Sequence, residues 1–266
     1  MPRLDAAACI ALMDELTKLT AQAAATILDL ANEAEVRTKA DGSPVTTADE
    51  AAETIICAGL GRVAPEIPII SEEQAARERP TGIEHGSYFL VDPLDGTREF
   101  IAGRDEYTIN IALMTDGAPI LGIICAPALG LTWRGVVGQG ADRMARAAGE
   151  GARAAPIHAR SRPAHEIAIV VSRSHLDAHT RAYVDGFPQA QLVQSGSSIK
   201  FCRVAEGSAD IYPRLAPTRD WDIAAGHAIL KAAGGGVIAP EGSPLRYGTP
   251  DLLIPAFIAS GQPITG

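Results

Sequence analysis

The side chains of this chain best suited to chemistry are carboxylates that follow short apolar segments. The hexapeptide Asp92-Pro93-Leu94-Asp95-Gly96-Thr97 places two of them three residues apart on a turn constrained by proline and glycine. Glu72 follows another apolar run, and Asp222 lies where a helix is predicted to begin. These four acids have no histidine or cysteine partner, and ligand sets made only of oxygen suit hard cations such as Mg²⁺. The pattern therefore predicts a magnesium site.

The charge of this carboxylate set favours a pair of ions. Four bare carboxylates would repel one another, whereas two divalent cations would neutralise them and leave room for a bridging phosphate. Two such ions polarise phosphoryl oxygens, lower the pKa of a bound water and stabilise a leaving oxygen, which is the chemistry of phosphoester hydrolysis. The amides of Gly96 and Thr97 are candidate phosphate donors, because glycine permits close backbone approach and a helix start presents free N–H groups.

Each of these residues also has a purely structural interpretation. Asp-Pro and Asp-Gly are common in turns, Glu-Glu is ordinary surface sequence, and Asp222 at a helix start can serve only as a cap. The coincidence of all of them in one chain is what favours a catalytic site.

Hydrophobic periodicity predicts the elements that would position these acids. Apolar residues at steps of three and four predict an amphipathic helix over 10–30, and a turn-rich stretch, 39–49, leads to a second helix with Asp49 near its start. Two strands, 67–70 and 88–91, end at Glu72 and at Asp92.

The rest of the chain shows two different patterns. Three strands joined by short turns over 107–137 form an antiparallel meander, in which Gly117, Pro119, Gly122, Pro127 and Gly130 are expected to separate strand-sized pieces. After 167, strands alternate with helices, including helices that open at 195–198 and at Asp220, and late strands are expected at 237–238 and 252–258. The fold class predicted is therefore α/β, with layered helices and a mixed sheet.

Two halves of the chain are expected. The first, 1–155, carries most of the predicted metal ligands, and the second, 156–266, carries Asp222 and the predicted substrate-recognition residues. The stretch 138–156, rich in glycine, alanine and arginine, is interpreted as an exposed connection between them.

Composition excludes several classes of function. The 266 residues include 23 Lys and Arg against 32 Asp and Glu, a net charge of −9, so no global basic field attracts nucleic acid or anionic lipid. No uninterrupted apolar run of membrane-spanning or signal-peptide length occurs. The four cysteines form no CxxC pair and lie in apolar contexts, so we expect buried free thiols in a reducing compartment. The expected location is the cytoplasm, with peripheral attachment to the inner membrane as an alternative.

Three segments resemble, in order and spacing, the signatures of the inositol monophosphatase superfamily of Mg²⁺-dependent, lithium-sensitive phosphatases. They are Glu72-Glu73, the Asp92 to Thr97 hexapeptide and the segment Trp221 to Gly226. The resemblance spans about 38–258 and implies an αβαβα sandwich of the inositol monophosphatase and sugar phosphatase type. It also implies inhibition by lithium and, as a family expectation, a homodimer.

The resemblance implies a role for each matching residue. Glu72, Asp92 and the Leu94 carbonyl would hold the first metal, and Asp92, Asp95 and Asp222 the second. Asp49 would pair with the Thr97 hydroxyl to position the attacking water. Glu73 would bind a third ion or simply lie beside the site, and the sequence leaves both open.

Further stretches resemble the bacterial CysQ-type branch, the 3′(2′),5′-bisphosphate nucleotidases. They are 41–46, 97–101, 172–175 and 196–202. An inositol-specific site carries a carboxylate about where Arg214 lies here, and arginine instead suits a second phosphate. The predicted substrate-binding set is Glu72, Leu94, Asp95, Gly96, Thr97, His175, Ser197, Lys200, Arg214 and Asp222.

The residues expected to hold the spare phosphate and the nucleoside have alternatives that stay open. Arg214 can be a surface ion-pair partner, Lys200 a solvated helix residue, and His175 a loop residue that caps a helix. Trp221 is interpreted as core packing rather than as a stacking platform for adenine.

The function predicted is removal of the 3′-phosphate from adenosine 3′,5′-bisphosphate, and from its 5′-phosphosulfate form, to give AMP and phosphate in support of sulfate assimilation. One alternative is an inositol or sugar monophosphatase with the same metals. Another is a phosphonucleotide-binding regulator without catalysis, which the presence of Asp49, Thr97, Asp95 and Asp222 disfavours because a pure binder does not need to position water.

Overall fold

Two sheets with helices on and between them build the part of the chain that a computed structural model describes, residues 4–76, 86–145, 154–161, 166–173 and 176–261. Its helices are α1 (Ala6–Leu30), α2 (Thr47–Val63), α3 (Glu72–Ala75), α4 (Thr97–Ile101), α5 (Ala178–Asp185), α6 (Ile199–Ala205) and α7 (Asp220–Ala232).

The larger sheet contains seven strands in the order β3-β4-β5-β6-β7-β8-β9. They are β3 (Ile69–Ser71), β4 (Ser87–Asp95), β5 (Thr108–Thr115), β6 (Ala118–Ala126), β7 (Leu131–Val136), β8 (Gly140–Ala145) and β9 (Ala155–Ile157). Strands β3 and β4 are parallel, and every other neighbouring pair is antiparallel.

The smaller sheet contains five strands in the order β11-β10-β12-β16-β14, with β10 parallel to both of its neighbours. They are β10 (Ala168–Ser172), β11 (Gln191–Ser195), β12 (Ile211–Arg214), β14 (Gly236–Ile238) and β16 (Phe257–Ser260). Two short ribbons complete the set, one of β1 (Val36–Thr38) with β2 (Pro44–Thr46) and one of β13 (Thr218–Arg219) with β15 (Leu253–Ile254).

Strand β4 shows why the layers stack as they do. Its alternate residues face opposite sides: Phe89 and Val91 pack with α1 and α2, whereas Tyr88 and Leu90 pack with α6 and α7. A strand covered on both faces has to be apolar where it is covered, as β4 is over 88–91. The other face of the α6/α7 layer meets the smaller sheet, and α5 covers that sheet from outside. The order helix, sheet, helix, sheet, helix confirms the predicted layered α/β fold.

Helix α7 is the central element because it packs against both sheets. It lies on Gly122 of β6 and Gly135 of β7, which are direct cross-strand partners. Gly122 and Pro119, which were expected to separate strand-sized pieces, both lie within β6. At Gly122 the reason is packing, because a Cβ there would lie 2.3 Å from the Ala225 carbonyl oxygen of α7.

Other predictions for the elements need correction. The stretch 138–156 is more than an exposed connection, since β8 and β9 extend the larger sheet there. The late strand predicted over 252–258 is two strands, β15 and β16, in different sheets. Cys57 is half-buried rather than buried, because it lies on the outer part of α2. The division into halves at 155 stays a prediction, although α7 packs on strands of the first half.

Within the described ranges, no helix combines the length and the apolar character needed to cross a membrane.

Candidate active site

Three carboxylates converge where strand ends meet a helix start. Glu72 is the first residue of α3, directly after β3, and Asp92 lies near the end of β4. Because β3 and β4 are parallel, both acids lie at the same edge of the sheet. Asp222, in the first turn of α7, completes the group, and one carboxylate oxygen from each lies within 4.8 Å of the others.

Asp95 lies beside this group because β4 is irregular at its end. The pairing of β4 with β5 shifts register between Asp92 and Asp95. Gly96 then takes a left-handed conformation, φ 92°, from which α4 begins at Thr97. The turn brings Asp95 and Thr97 into the same cleft as Asp92.

Burial and the charges of neighbouring carboxylates raise the pKa of Asp92, Glu72 and Asp95. Burial, followed by the charges of Glu72, Asp95 and Asp222, raises the pKa of Asp92 well above its ordinary value. Burial, with the charges of Asp222 and Glu73, raises the pKa of Glu72 to about 7 even though the Lys39 ammonium opposes the shift. Burial also raises the pKa of Asp95. Clustered carboxylates of this kind need cations to hold them in the charged form, and their oxygen-only donors fit Mg²⁺ or a similar hard ion.

Asp49 and Thr97 form a hydrogen-bonded pair at the edge of the cluster. Asp49 is the third residue of α2 and closes a capping box, in which its Oδ2 accepts the Thr46 N–H at 2.8 Å. Its other oxygen, Oδ1, accepts the Thr97 hydroxyl at 3.0 Å. The Leu94 carbonyl lies 3.2 Å from the same hydroxyl. The capping box therefore fixes Asp49, and Asp49 orients Thr97.

A cationic side lies opposite the carboxylates. Ser197 donates to Asp95 Oδ2 at 2.6 Å, and buried Lys200 donates to the Ser197 carbonyl. Burial, with the nearby charge of Arg214, lowers the pKa of Lys200 to about 8. Half-buried Arg214 is hydrogen-bonded to Tyr212 and donates to the Pro217 carbonyl at 3.3 Å.

These groups line one cleft of about 300 Å³. Its walls include Glu72, Asp92, Leu94, Asp95, Gly96, Thr97, Ser197, Lys200, Arg214 and Asp222, together with Ser43, Arg98, Glu99 and Ser172. The structure thus brings together the predicted substrate-binding residues that it describes. His175 lies outside the described residues.

Two of the open alternatives are decided by burial. Lys200 is 3% exposed, which excludes a solvated helix residue. Trp221 is 7% exposed within the core between the sheets, as its core-packing interpretation expects.

A comparison with known protein families matches residues 10–263 to the inositol monophosphatase family. The match covers nearly the whole chain and all four carboxylates. The chain belongs to the inositol monophosphatase family. Members of this family are metal-dependent phosphatases, in agreement with the acidic cluster.

Within this family, the chain is similar to the following proteins. The 3′(2′),5′-bisphosphate nucleotidase CysQ of Escherichia coli O157:H7 is 42% identical over 258 residues, covering 94% of this chain and 99% of the relative. The crystal structure of CysQ from Bacteroides thetaiotaomicron superposes with a TM-score of 0.76 at 36% identity, covering 91% of this chain and 94% of that one. The inositol monophosphatase of Anabaena shares the fold, with a TM-score of 0.76 at 23% identity over 96% of this chain and 92% of its own.

Sequence reasoning missed two residues that the structure places at this family site. Lys39, in the turn between β1 and β2, donates to Glu72 and to Glu73, each at 2.6 Å. Its only signal in the sequence was its position at the start of the turn-rich stretch 39–49. Glu106 accepts the N–H of Gly196 at 2.9 Å, and no sequence pattern marked it.

Proposed function

We propose that this chain is a Mg²⁺-dependent 3′(2′),5′-bisphosphate nucleotidase that hydrolyses adenosine 3′,5′-bisphosphate to AMP and phosphate. The observation that carries the proposal is the pairing, in one cleft, of a carboxylate cluster with Lys200 and Arg214. The carboxylates can hold metals around a scissile phosphate, and Lys200 and Arg214 can hold another phosphate. The relatives named 3′(2′),5′-bisphosphate nucleotidase support the same substrate class.

The residues proposed to hold the ions are Glu72, Asp92 and the Leu94 carbonyl for one, and Asp92, Asp95 and Asp222 for the other. Divalent cations bound there supply polarisation of the phosphoryl group, a lowered pKa for water and stabilisation of the leaving oxygen. Asp222 is held in place as a ligand, because its Oδ2 accepts the Arg219 N–H at 3.0 Å and the Thr218 hydroxyl.

Asp49 and Thr97 are proposed to orient the attacking water. A threonine hydroxyl has one hydrogen, and by donating it to Asp49 Thr97 turns its lone pairs toward the cleft. A water that donates to Thr97 then has its own lone pairs free to attack phosphorus. Because Asp49 is held by the Thr46 cap, this geometry exists before substrate binds.

Arg214 and Lys200 are proposed to select substrates with a second phosphate. The planar guanidinium of arginine pairs with phosphate oxygens bidentately. Arg214 keeps its positive charge in the cleft, since Tyr212, Asp222 and Asp95 outweigh the effect of burial and raise its pKa. Lys200 supports the loop that carries Ser197.

The deciding experiment compares phosphate release by the purified protein with Mg²⁺ from adenosine 3′,5′-bisphosphate, inositol 1-phosphate and fructose 1,6-bisphosphate, with an EDTA control. We expect kcat/KM for the nucleotide to exceed the others by roughly 100-fold, about 2.7 kcal/mol of selectivity from buried polar contacts. Equal or better turnover of inositol 1-phosphate would make the chain a monophosphatase. Binding of the nucleotide without phosphate release would make it a regulator.

Several finer properties belong to the same proposal. They are hydrolysis of the 5′-phosphosulfate nucleotide, a third ion at Glu73, inhibition by lithium, a homodimer and a cytoplasmic location. Lithium titration of the Mg²⁺-dependent rate and sedimentation of the purified protein test the inhibition and the dimer.

A further inference from the structure

Glu106 lies between two turns that carry proposed site residues. It lies two residues before the start of β5, and its carbonyl oxygen would be 3.3 Å from a Cβ built on Gly96 and 2.8 Å from one built on Gly196. The first glycine belongs to the turn of Asp95 and Thr97, and the second to the loop 195–198. Both turns approach the Glu106 backbone closely because each presents a glycine there.

The Glu106 carboxylate binds donors from the other side of the cleft. It accepts the Gly196 N–H at 2.9 Å and the Ser195 hydroxyl at 3.2 Å. The Arg173 guanidinium lies 2.7 Å away, and the Arg173 N–H donates to the Ser195 carbonyl at 3.3 Å. The Glu106 side chain is only 17% exposed, so these charge-assisted contacts are partly shielded from water.

The loop 195–198 needs such an anchor because Ser197 is strained. Ser197 has φ 52°, a left-handed conformation that costs a residue other than glycine about 1–2 kcal/mol. Such a conformation persists only where neighbouring contacts hold it. Asp95 holds its hydroxyl and Lys200 its carbonyl, while Glu106 holds the preceding amide.

We propose that Glu106 is a positioning residue that keeps the loop 195–198 in register with Asp95. It acts through Gly196 and Ser195 and does not contact the substrate. Through them it sets the shape of the part of the cleft that recognises the substrate beyond the scissile phosphate. The inference rests on the proposed function, because Lys200, which donates to the Ser197 carbonyl, was assigned there to the second phosphate.

The test compares adenosine 3′,5′-bisphosphate with p-nitrophenyl phosphate, which presents a scissile phosphate and no second one. Glu106→Ala should raise KM for the bisphosphate at least about tenfold, the effect of losing one hydrogen bond to a charged group, and leave KM for p-nitrophenyl phosphate within threefold. Glu106→Gln should restore the parent value within threefold, because its amide oxygen can still accept the Gly196 N–H, while its NH2 group takes the other position and donates to the Ser195 hydroxyl, which can accept as well as donate.

Two further variants separate positioning from folding. Gly196→Ala places a Cβ 2.8 Å from the Glu106 carbonyl oxygen and should produce the same selective rise in KM from the opposite side of the contact. Glu241→Ala, which removes an exposed carboxylate paired with its neighbour Ser243, is the matched control and should change neither KM. If Glu106→Ala does not fold, the KM values of Gly196→Ala and Glu106→Gln decide whether Glu106 positions the loop.

Three results would overturn the inference. The first is an unchanged KM for the bisphosphate in folded Glu106→Ala or, if that variant does not fold, in Gly196→Ala. The second is an equal rise in KM for both substrates, and the third is a KM for the bisphosphate as high in Glu106→Gln as in Glu106→Ala. A parent enzyme without preference for the bisphosphate contradicts the proposed function instead. The same variants are then compared on the parent's best substrate and on p-nitrophenyl phosphate. A rise in KM for the first substrate but not for the second would still support the positioning role of Glu106, and an equal rise for both would contradict it.

Discussion

The paired glycines beneath α7 give the sharpest prediction about how packing controls the site. In Gly122→Ala, the new methyl group would lie 2.3 Å from the Ala225 carbonyl oxygen and 3.0 Å from the Ala225 Cα. Ordinary contact begins near 3.4 Å, so α7 and β6 have to separate by about 1 Å. The contact is with backbone, so a change of rotamer cannot relieve it.

That separation reaches the carboxylate cluster, because a helix moves as a unit. Ala225 lies three residues after Asp222, about 4.5 Å along the helix axis. A shift of about 1 Å there moves the Asp222 carboxylate relative to Asp92, which lies in the larger sheet, and to Glu72, which directly follows β3 of that sheet. Misplacement of a reacting group by about 1 Å can cost roughly 100-fold in rate. Overpacking of a core typically costs about 1–3 kcal/mol of stability.

The assay measures kcat/KM against Mg²⁺ concentration at 25 °C, with circular dichroism to establish that the variant is folded. We expect Gly122→Ala to lower kcat/KM at least about tenfold and to raise the Mg²⁺ concentration needed for half-maximal rate, because only one ligand has moved. The control is Gly236→Ala in β14, where an added Cβ meets no atom within 4 Å and φ is not positive. A folded Gly122→Ala with activity within twofold of the parent and an unchanged Mg²⁺ requirement would refute the reasoning.

Three other predictions concern single groups. Asp95→Asn should lower kcat at least about 100-fold through loss of a metal ligand, measured at saturating Mg²⁺, and activity within tenfold of the parent would contradict the two-ion assignment. Arg214→Ala should raise KM for a bisphosphate about tenfold more than for a monophosphate, and an equal effect on both would remove its proposed role. Burial lowers the pKa of His227 to about 3 from its ordinary 6.5, so between these values the unfolded chain binds the proton and the folded chain does not. The free energy of unfolding should therefore fall by up to about 1.4 kcal/mol per pH unit below about pH 6.5. Urea unfolding at pH 6.5 and 4.5 should show a smaller loss of this free energy in His227→Gln than in the parent, and equal losses in both proteins would contradict the prediction.

Local patterns predicted the elements that position the acids. The apolar run before Asp92 and the helix around Asp222 both lie where periodicity placed them, because burial on one or both faces leaves a repeat in the sequence. The short elements were not predictable in this way. Helices α3 and α4 and the ribbon of β1 with β2 are too brief for a repeat and depend on their neighbours.

The sequence by itself determined which acids are present, the two-carboxylate turn at Asp92 and Asp95, and the likeness that led to the family. These features are local in the chain or recur at a fixed spacing. Tertiary structure alone decided that Gly122 and Gly135, 13 residues apart in the chain, face each other under α7, that Lys39 binds Glu72 and that Glu106 binds the Gly196 amide. Such contacts join residues distant in sequence, whose positions follow from strand register and close packing rather than from any local pattern.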